Sequence, residues 1–323
     1  MKLTQNMRAV LDLAFSQFLL AVGEGAEPVD ADNQICLPSH MVIPFHNMKD
    51  SFDRSSIFPV FIAHSCPFSI SITTYILHRL LTETFSTRLI AYTFPDLNLY
   101  LSDPYEMINR CILTPKNTSV EDINEMMIQR FLGQLFTYTS SDQTVDQRFQ
   151  ADYEDFLNSQ NPKGLPPHKL MLKENCPLIL LRNLNPVEGL CNGTRLICRQ
   201  LKRHTICAEI AFVQHKGKKI FIPRIPLQTL DNEKNGIPFI RTQFPVRLCF
   251  AMTINKAQAQ TLDYVGVYLK EPVFSHGQLY VAHPRAKTVA AVKVLILPRT
   301  FVEVKTDCRT RNIVFDEILQ LSN

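Results

Sequence analysis

Three apolar runs in the second half of the chain, residues 246–252, 265–269 and 289–297, constrain the fold more than any other feature. They are nearly continuous in apolar residues and do not alternate, which is the pattern of strands buried on both faces. Between them, residues 255–262 and 275–282 have the length and composition of short helices. Strand, helix and strand repeating in this way make a parallel sheet with right-handed crossovers, an α/β arrangement. Ligands of such sheets collect at the C-terminal ends of the strands. The segment from Thr253 to Gln260 is therefore expected at a functional edge.

Upstream, residues 1–44 read as a helix followed by a loop broken at Gly23, Gly25 and Pro28. Residues 111–113 read as a short buried strand, with Thr114-Pro115-Lys116-Asn117 as its turn. Val120, Ile123, Met127, Ile128 and Phe131 recur at helical spacing, predicting a helix over 120–131. Residues 140–150 are polar and read as a loop. From 177 to 225 the period becomes two: Ile206, Ala208, Ile210 and Phe212 alternate with Cys207, Glu209 and Ala211, and Asn192-Gly193 is a hairpin-turn dipeptide. The apolar runs 178–181, 196–198, 206–212 and 220–222 predict a small antiparallel barrel or curled sheet, inserted into the α/β part. The expected divisions are 1–44, 45–92, 93–176, 177–228, 229–300 and a tail, 301–323.

The 323 residues carry a net charge of only +4, so a nucleic-acid footprint has to be local. One such stretch exists. Between Arg195 and Arg224 lie eight basic residues (Arg195, Arg199, Lys202, Arg203, Lys216, Lys218, Lys219 and Arg224) against one acid, Glu209. A strand pair with basic turns suits a phosphate backbone, and a solvated basic surface is the alternative reading. The nine cysteines are scattered, odd in number and without a C-x-x-C, which argues for reduced thiols and against a disulfide framework or a zinc site. Residues 55–77 hold no Asp, Glu, Lys or Arg and are long enough to span a bilayer. Pro59, Pro67, His64 and several hydroxyl residues favour a buried insertion instead. Neither this segment nor the weakly apolar start of the chain is expected to act as an anchor or a signal peptide.

Candidate chemistry concentrates in two places. The block from Ala251 to Thr261 opens a helix after a buried strand. There Thr253, Asn255 and Lys256 offer a hydroxyl, an amide and a cation where backbone N–H groups are free for an anion. An ordinary capped turn is the competing reading. Arg285 follows an apolar helical stretch and precedes a strand; an arginine there can stabilise phosphoryl charge or serve as a surface ion pair.

Taken in order, several blocks resemble the C-terminal part of PIF-type DNA helicases, particularly the helicases of helitron transposons. They are Leu3-Thr4-Gln5-Asn6-Met7-Arg8, Phe18-Leu19-Leu20, Leu113-Thr114-Pro115-Lys116-Asn117 and Gly164-Leu165-Pro166-Pro167-His168. Further along come Leu181-Arg182-Asn183-Leu184-Asn185, the run from Gly189 to Arg195, the block from Thr253 to Thr261, and Gly277-Gln278-Leu279-Tyr280-Val281-Ala282 leading to Arg285. The resemblance implies the second RecA-like lobe of a P-loop NTPase, with a small inserted antiparallel β-barrel that touches single-stranded DNA. It implies that Arg8 and Arg285 act catalytically at the γ-phosphate, and that Gln258 and Ala259 lie with them on the nucleotide side. Thr114, Pro115, Asn117, Thr253, Asn255 and Lys256 would line the DNA track, joined by Arg195, Arg199, Lys218 and Lys219 on the barrel. The family reaction is 5′-to-3′ unwinding driven by ATP with Mg²⁺, in DNA repair, recombination, telomere maintenance or transposition, and the implied compartment is the nucleus.

The sequence departs from the family pattern in three ways. It contains no G-x-x-x-x-G-K-[ST] and no apolar strand ending in paired carboxylates before Arg8, so the phosphate cradle and Mg²⁺ carboxylates are missing. The family's Gly is Ala259, and its Leu-Ser is His283-Pro284; proline there is expected to disfavour helix at His283. The expectation is a monomeric helicase portion without ATPase activity of its own, dependent on a first RecA-like lobe. The alternatives are a non-enzymatic module that binds single-stranded DNA, or a membrane-associated protein anchored by residues 55–77.

Overall fold

The protein is represented by a computed structural model that describes residues 9, 12–44, 82–145, 150–211, 215–229, 238–258, 260–297 and 308–320. Its strands are β1 (Gln34–Cys36), β2 (Arg110–Thr114), β3 (Phe136–Thr139), β4 (Ser141–Thr144), β5 (Lys169–Leu172), β6 (Pro177–Leu180), β7 (Arg195–Leu201) and β8 (Thr205–Ile210). There follow β9 (Lys219–Pro223), β10 (Ile225–Gln228), β11 (Phe239–Gln243), β12 (Val246–Leu248), β13 (Ala251–Thr253), β14 (Tyr264–Leu269), β15 (Val292–Ile296) and β16 (Arg309–Arg311). The chain divides into two compact units. One takes Met1–Pro95, Arg110–Glu121 and Ala251–Asn323; the other takes Asp96–Asn109 and Asp122–Phe250.

The first unit is built on a four-stranded sheet in the order β13-β2-β14-β15, parallel at every pairing. Cys111, Ile112 and Leu113 of β2 are fully buried, as are Val265 and Val267 of β14 and Val292, Val294 and Leu295 of β15. Burial on both faces explains why these segments read as unbroken apolar runs. Gly266 permits a close approach here: a Cβ at that position would stand 2.6 Å from Thr93 Oγ1 and 3.1 Å from Leu89 Cδ1. Thr93 and Leu89 belong to a helix over residues 82–93, whose Phe85, Leu89, Ile90 and Thr93 are buried. The end of the atypical apolar stretch is thus integral to this core, while residues 45–81 lie outside the described residues.

Helix α1 (Leu13–Glu24) starts at Asp12, whose Oδ1 accepts from Phe15 N at 3.0 Å. It ends at Gly25, where φ is +71° and the left-handed turn suits a residue without Cβ. Within residues 308–320 of the tail, β16 pairs antiparallel with β1, and a short helix spans Asp316–Gln320. Among the described residues no helix is long and apolar enough to cross a membrane; residues 55–77 are not among them.

The second unit holds a five-stranded antiparallel sheet in the order β12-β6-β7-β8-β9, a three-stranded sheet β10-β11-β4 and the pair β3-β5. Of the barrel or curled sheet expected here, the antiparallel sheet is present, and among the described residues no pairing joins its edge strands β12 and β9. Two further expectations are corrected. The run over 246–252 is two strands: β12 pairs antiparallel with β6 in the second unit, and β13 pairs parallel with β2 in the first. Residues 140–150 are not a uniform loop, because β4 pairs with β11 and buries Asp142 and Thr144. A hydropathy pattern cannot register a strand whose inward residues are polar.

Asp142 is buried because Arg241, fully enclosed on β11, needs it. Arg241 Nε and Nη2 donate to the Asp142 carboxylate at 2.6–3.1 Å, Nη2 also to Leu157 O, and Nη1 to Gln160 O and Pro166 O. This guanidinium ties β11, β4, the end of the helix Gln150–Ser159 and the Gly164–His168 loop into one piece, beside the apolar cluster Leu157, Leu165, Leu227 and Phe239. Removing one partner of a buried pair leaves an uncompensated charge. Arg241→Met is expected to destabilise the second unit by about 3–5 kcal/mol in urea unfolding; a loss below about 1 kcal/mol would contradict this role.

Candidate nucleic-acid interface

Parallel pairing sets Thr114 of β2 directly beside Thr253 of β13, at the C-terminal ends of both strands. After β2 the chain passes through Pro115 into the helix Asn117–Arg130; after β13 it enters a 3₁₀ turn, Ile254–Ala257. The edge therefore gathers Thr114, Pro115, Asn117, Thr253, Asn255, Lys256 and Gln258 within the first unit. Thr114 and Pro115 are buried, Thr253 is half-buried, and Asn117, Asn255, Lys256 and Gln258 are exposed. Thr114 Oγ1 has no hydrogen-bond partner among the described residues.

The expected helix over 255–262 is instead this four-residue 3₁₀ turn. Ile254 and Ala257, three apart, both point inward, and Gln258 leaves the helical region with ψ 141°. So short a turn has no appreciable macrodipole, and anion affinity there falls to the side chains of Asn255 and Lys256.

Arg285 is brought to the same place and is 6% exposed. Its Nε donates to Val281 O at 2.9 Å, and its Nη1 to Ala257 O at 3.2 Å and Gln260 O at 3.4 Å. Leu262 N in turn donates to the Arg285 carbonyl at 2.8 Å. The guanidinium thus clamps the loop that carries Gln258. Arg8 and Ala259 lie outside the described residues.

The helix Gln278–Ala282 gives way to a 3₁₀ turn, His283–Arg285, at the proline. His283 nevertheless keeps helical angles, φ −71° and ψ −46°, contrary to the expected effect of Pro284. Its Nδ1 donates to Leu279 O at 2.8 Å, which holds the ring along the helix. Burial lowers its pKa, and the bond to Leu279 opposes that shift only in part.

In the second unit the basic residues do not form one patch. Lys202 and Arg203 occupy the β7–β8 turn, whereas Lys216, Lys218 and Lys219 lie at the β8–β9 end, about 17 Å away along the strand. All five are exposed. Arg195 is buried and donates to Cys249 O at 3.4 Å. Arg199, at a bulge in β7, donates to Glu209 Oε2 and to Asn175 Oδ1, each at 2.8 Å. Lys218 pairs with Glu188 at 2.7 Å. Burial pushes the Glu209 carboxyl up, but hydrogen bonds from Arg199 and Tyr105 outweigh it and hold it below its ordinary range.

Two residues here escape a reading by hydropathy. Lys216 Nζ sits 4.2 Å above the Tyr105 ring, and Phe221 is 67% exposed on edge strand β9. The alternation Lys219, Phe221, Pro223 against Ile220 and Ile222 was the available signal for Phe221.

A family model described as the DNA helicase Pif1 2B domain matches residues 155–201, all within the second unit. The ATP-dependent DNA helicase PIF6 of Trypanosoma brucei brucei is 30% identical over 122 residues, 37% of this chain and 15% of that protein. Human ATP-dependent DNA helicase PIF1 is 28% identical over 173 residues, 53% of this chain and 25% of that protein. The crystal structure of the Pif1 helicase from Candida albicans aligns at 21% identity and a TM-score of 0.47, over 66% of this chain and 48% of that one.

The four-stranded parallel sheet and the helices packed with it make the first unit an α/β one. Over its matched residues the chain is similar to PIF-type ATP-dependent DNA helicases. It spans between 15% and 26% of the length of the first three curated relatives it matches.

Buried His283 gives the first unit a measurable pH response. An unfolded histidine titrates near the ordinary 6.5 and the folded one lower, so the unfolded chain binds more protons between those values. Stability is expected to fall as pH drops below 6.5, with half-exposed His168 in the second unit shifted the same way, chiefly by burial. The Tm of His283→Leu should vary less over this range than that of the unaltered chain; equal slopes would contradict the assignment.

Proposed function

We propose that this chain supplies the single-stranded-DNA-contacting part of a PIF-type, ATP-dependent 5′-to-3′ DNA helicase. The observation that carries the reading is the edge where β2 and β13 end together, with exposed Asn117, Asn255 and Lys256 around half-buried Thr253. An amide pair and a cation suit a phosphodiester backbone, which is contacted without regard to sequence. Kinship to proteins named ATP-dependent DNA helicases supports the same reading. Within the second unit, exposed Lys218, Lys219 and Phe221 would offer charge and a stacking surface of their own.

In this reading the relatives' ATP and Mg²⁺ require residues beyond those present here. The sequence contains no G-x-x-x-x-G-K-[ST] phosphate cradle. Arg285 Nε and Nη1 donate to the carbonyls of Val281, Ala257 and Gln260. No hydrolytic step is therefore assigned to this chain, and its contribution is to bind and orient DNA. A nuclear setting, in DNA repair, recombination or transposition, belongs to the same proposal.

Binding of a fluorescent oligothymidylate at several salt concentrations tests it. Affinity should fall steadily as salt rises, and Asn255→Ala/Lys256→Ala should weaken binding about tenfold with little change in Tm. Absence of binding at low salt would defeat the proposal. Binding without any stimulation of a supplied first lobe's ATPase would favour a non-enzymatic DNA-binding module.

A further inference from the structure

Cys36 and Cys308 meet at the surface of the first unit. Their sulfurs are 2.7 Å apart, although 272 positions separate them in sequence. Cys36 is exposed and Cys308 half-buried, whereas Cys111, Cys176, Cys198, Cys207 and Cys249 are buried. The backbone holds the pair together independently of sulfur: Cys36 is the last residue of β1, Cys308 immediately precedes β16, and Leu37 N donates to Cys308 O at 2.8 Å. The buried thiols differ in kind. Cys198, hydrogen-bonded to Cys176 and shut from water, has its pKa pushed far up and stays a protonated, unreactive thiol.

We propose that Cys36 and Cys308 form a reversible disulfide that staples β16 to β1. One thiolate attacks a sulfur of a small disulfide such as oxidised glutathione, forming a mixed disulfide and expelling one glutathione thiolate, which takes up a proton. The second cysteine thiolate then attacks the protein sulfur of that mixed disulfide, forms the Sγ–Sγ bond and expels the second glutathione. Two protein thiols are oxidised and one small disulfide is reduced to two thiols. A bond of about 2.05 Å needs the sulfurs to close by less than an ångström.

The staple would act on more than two strands. Beyond Cys308, Asn312 Nδ2 donates to Val22 O at 2.8 Å, and Gly277 N donates to Ile313 O at 2.9 Å. Phe315 N donates to His276 Nδ1 at 2.9 Å, and the two rings stack 5.7 Å apart. Gly277 immediately precedes the helix Gln278–Ala282, which leads into Arg285. Oxidation would therefore fix the segment that braces the start of this helix.

The full chain, equilibrated in glutathione buffers from reducing to oxidising and quenched with N-ethylmaleimide, provides the test by peptide mass mapping. A Cys36–Cys308 linked peptide is expected under oxidising conditions, lost on adding dithiothreitol. Tm should rise by about 5 °C or more on oxidation, with no such rise in Cys36→Ser or Cys308→Ser. The proposal is overturned if both thiols remain alkylated at every potential, if glutathione stays on one of them as a stable mixed disulfide, or if the linked form melts like the reduced one. The mapping is done on the unaltered chain, so it decides the matter even if a serine variant fails to fold.

Discussion

A guanidinium removed from water must find acceptors for its donors, and that requirement organises both units of this protein. In the second unit Arg241 spends its donors on Asp142 and on three carbonyls from two further segments. In the first, Arg285 spends its own on Val281, Ala257 and Gln260. Each arginine gathers irregular backbone that no sheet ladder holds. An apolar residue at either place would leave several carbonyls without donors.

For the candidate interface the consequence is direct. The parallel sheet sets Thr114 beside Thr253, but the loop that follows is too short to be a stable helix and holds its form through Arg285. The exposure of Asn255, Lys256 and Gln258 thus depends on a clamp formed behind them. Arginine serves better than lysine here, because its planar fork meets several acceptors at once.

Much of the first unit was legible in the sequence. Strands such as Tyr264–Leu269 and Arg110–Thr114 are buried on both faces, and burial writes itself as uninterrupted apolar residues. The helix Asn117–Arg130 was readable from its 3.6-residue spacing. What escaped was held by polar or long-range contacts. β4 turns Asp142 and Thr144 inward, which is intelligible only beside Arg241, 99 residues away. The apolar run over 246–252 conceals a change of sheet between Leu248 and Ala251. Among the site residues, the edge at Thr253 followed from the strand order. The burial of Arg195 and Arg285 did not, because composition counts a buried arginine as surface charge.

The Arg285 clamp is the claim on which the interface most depends, and amide hydrogen exchange measures it directly. In Arg285→Lys, the amides of Gln258 and Gln260, which donate to Asn255 O and Ala257 O, should exchange at least tenfold faster than in the unaltered chain. Those of β14 should be unchanged. Equal protection of Gln258 and Gln260 in both proteins would contradict the account, since the loop would then keep its form without the arginine.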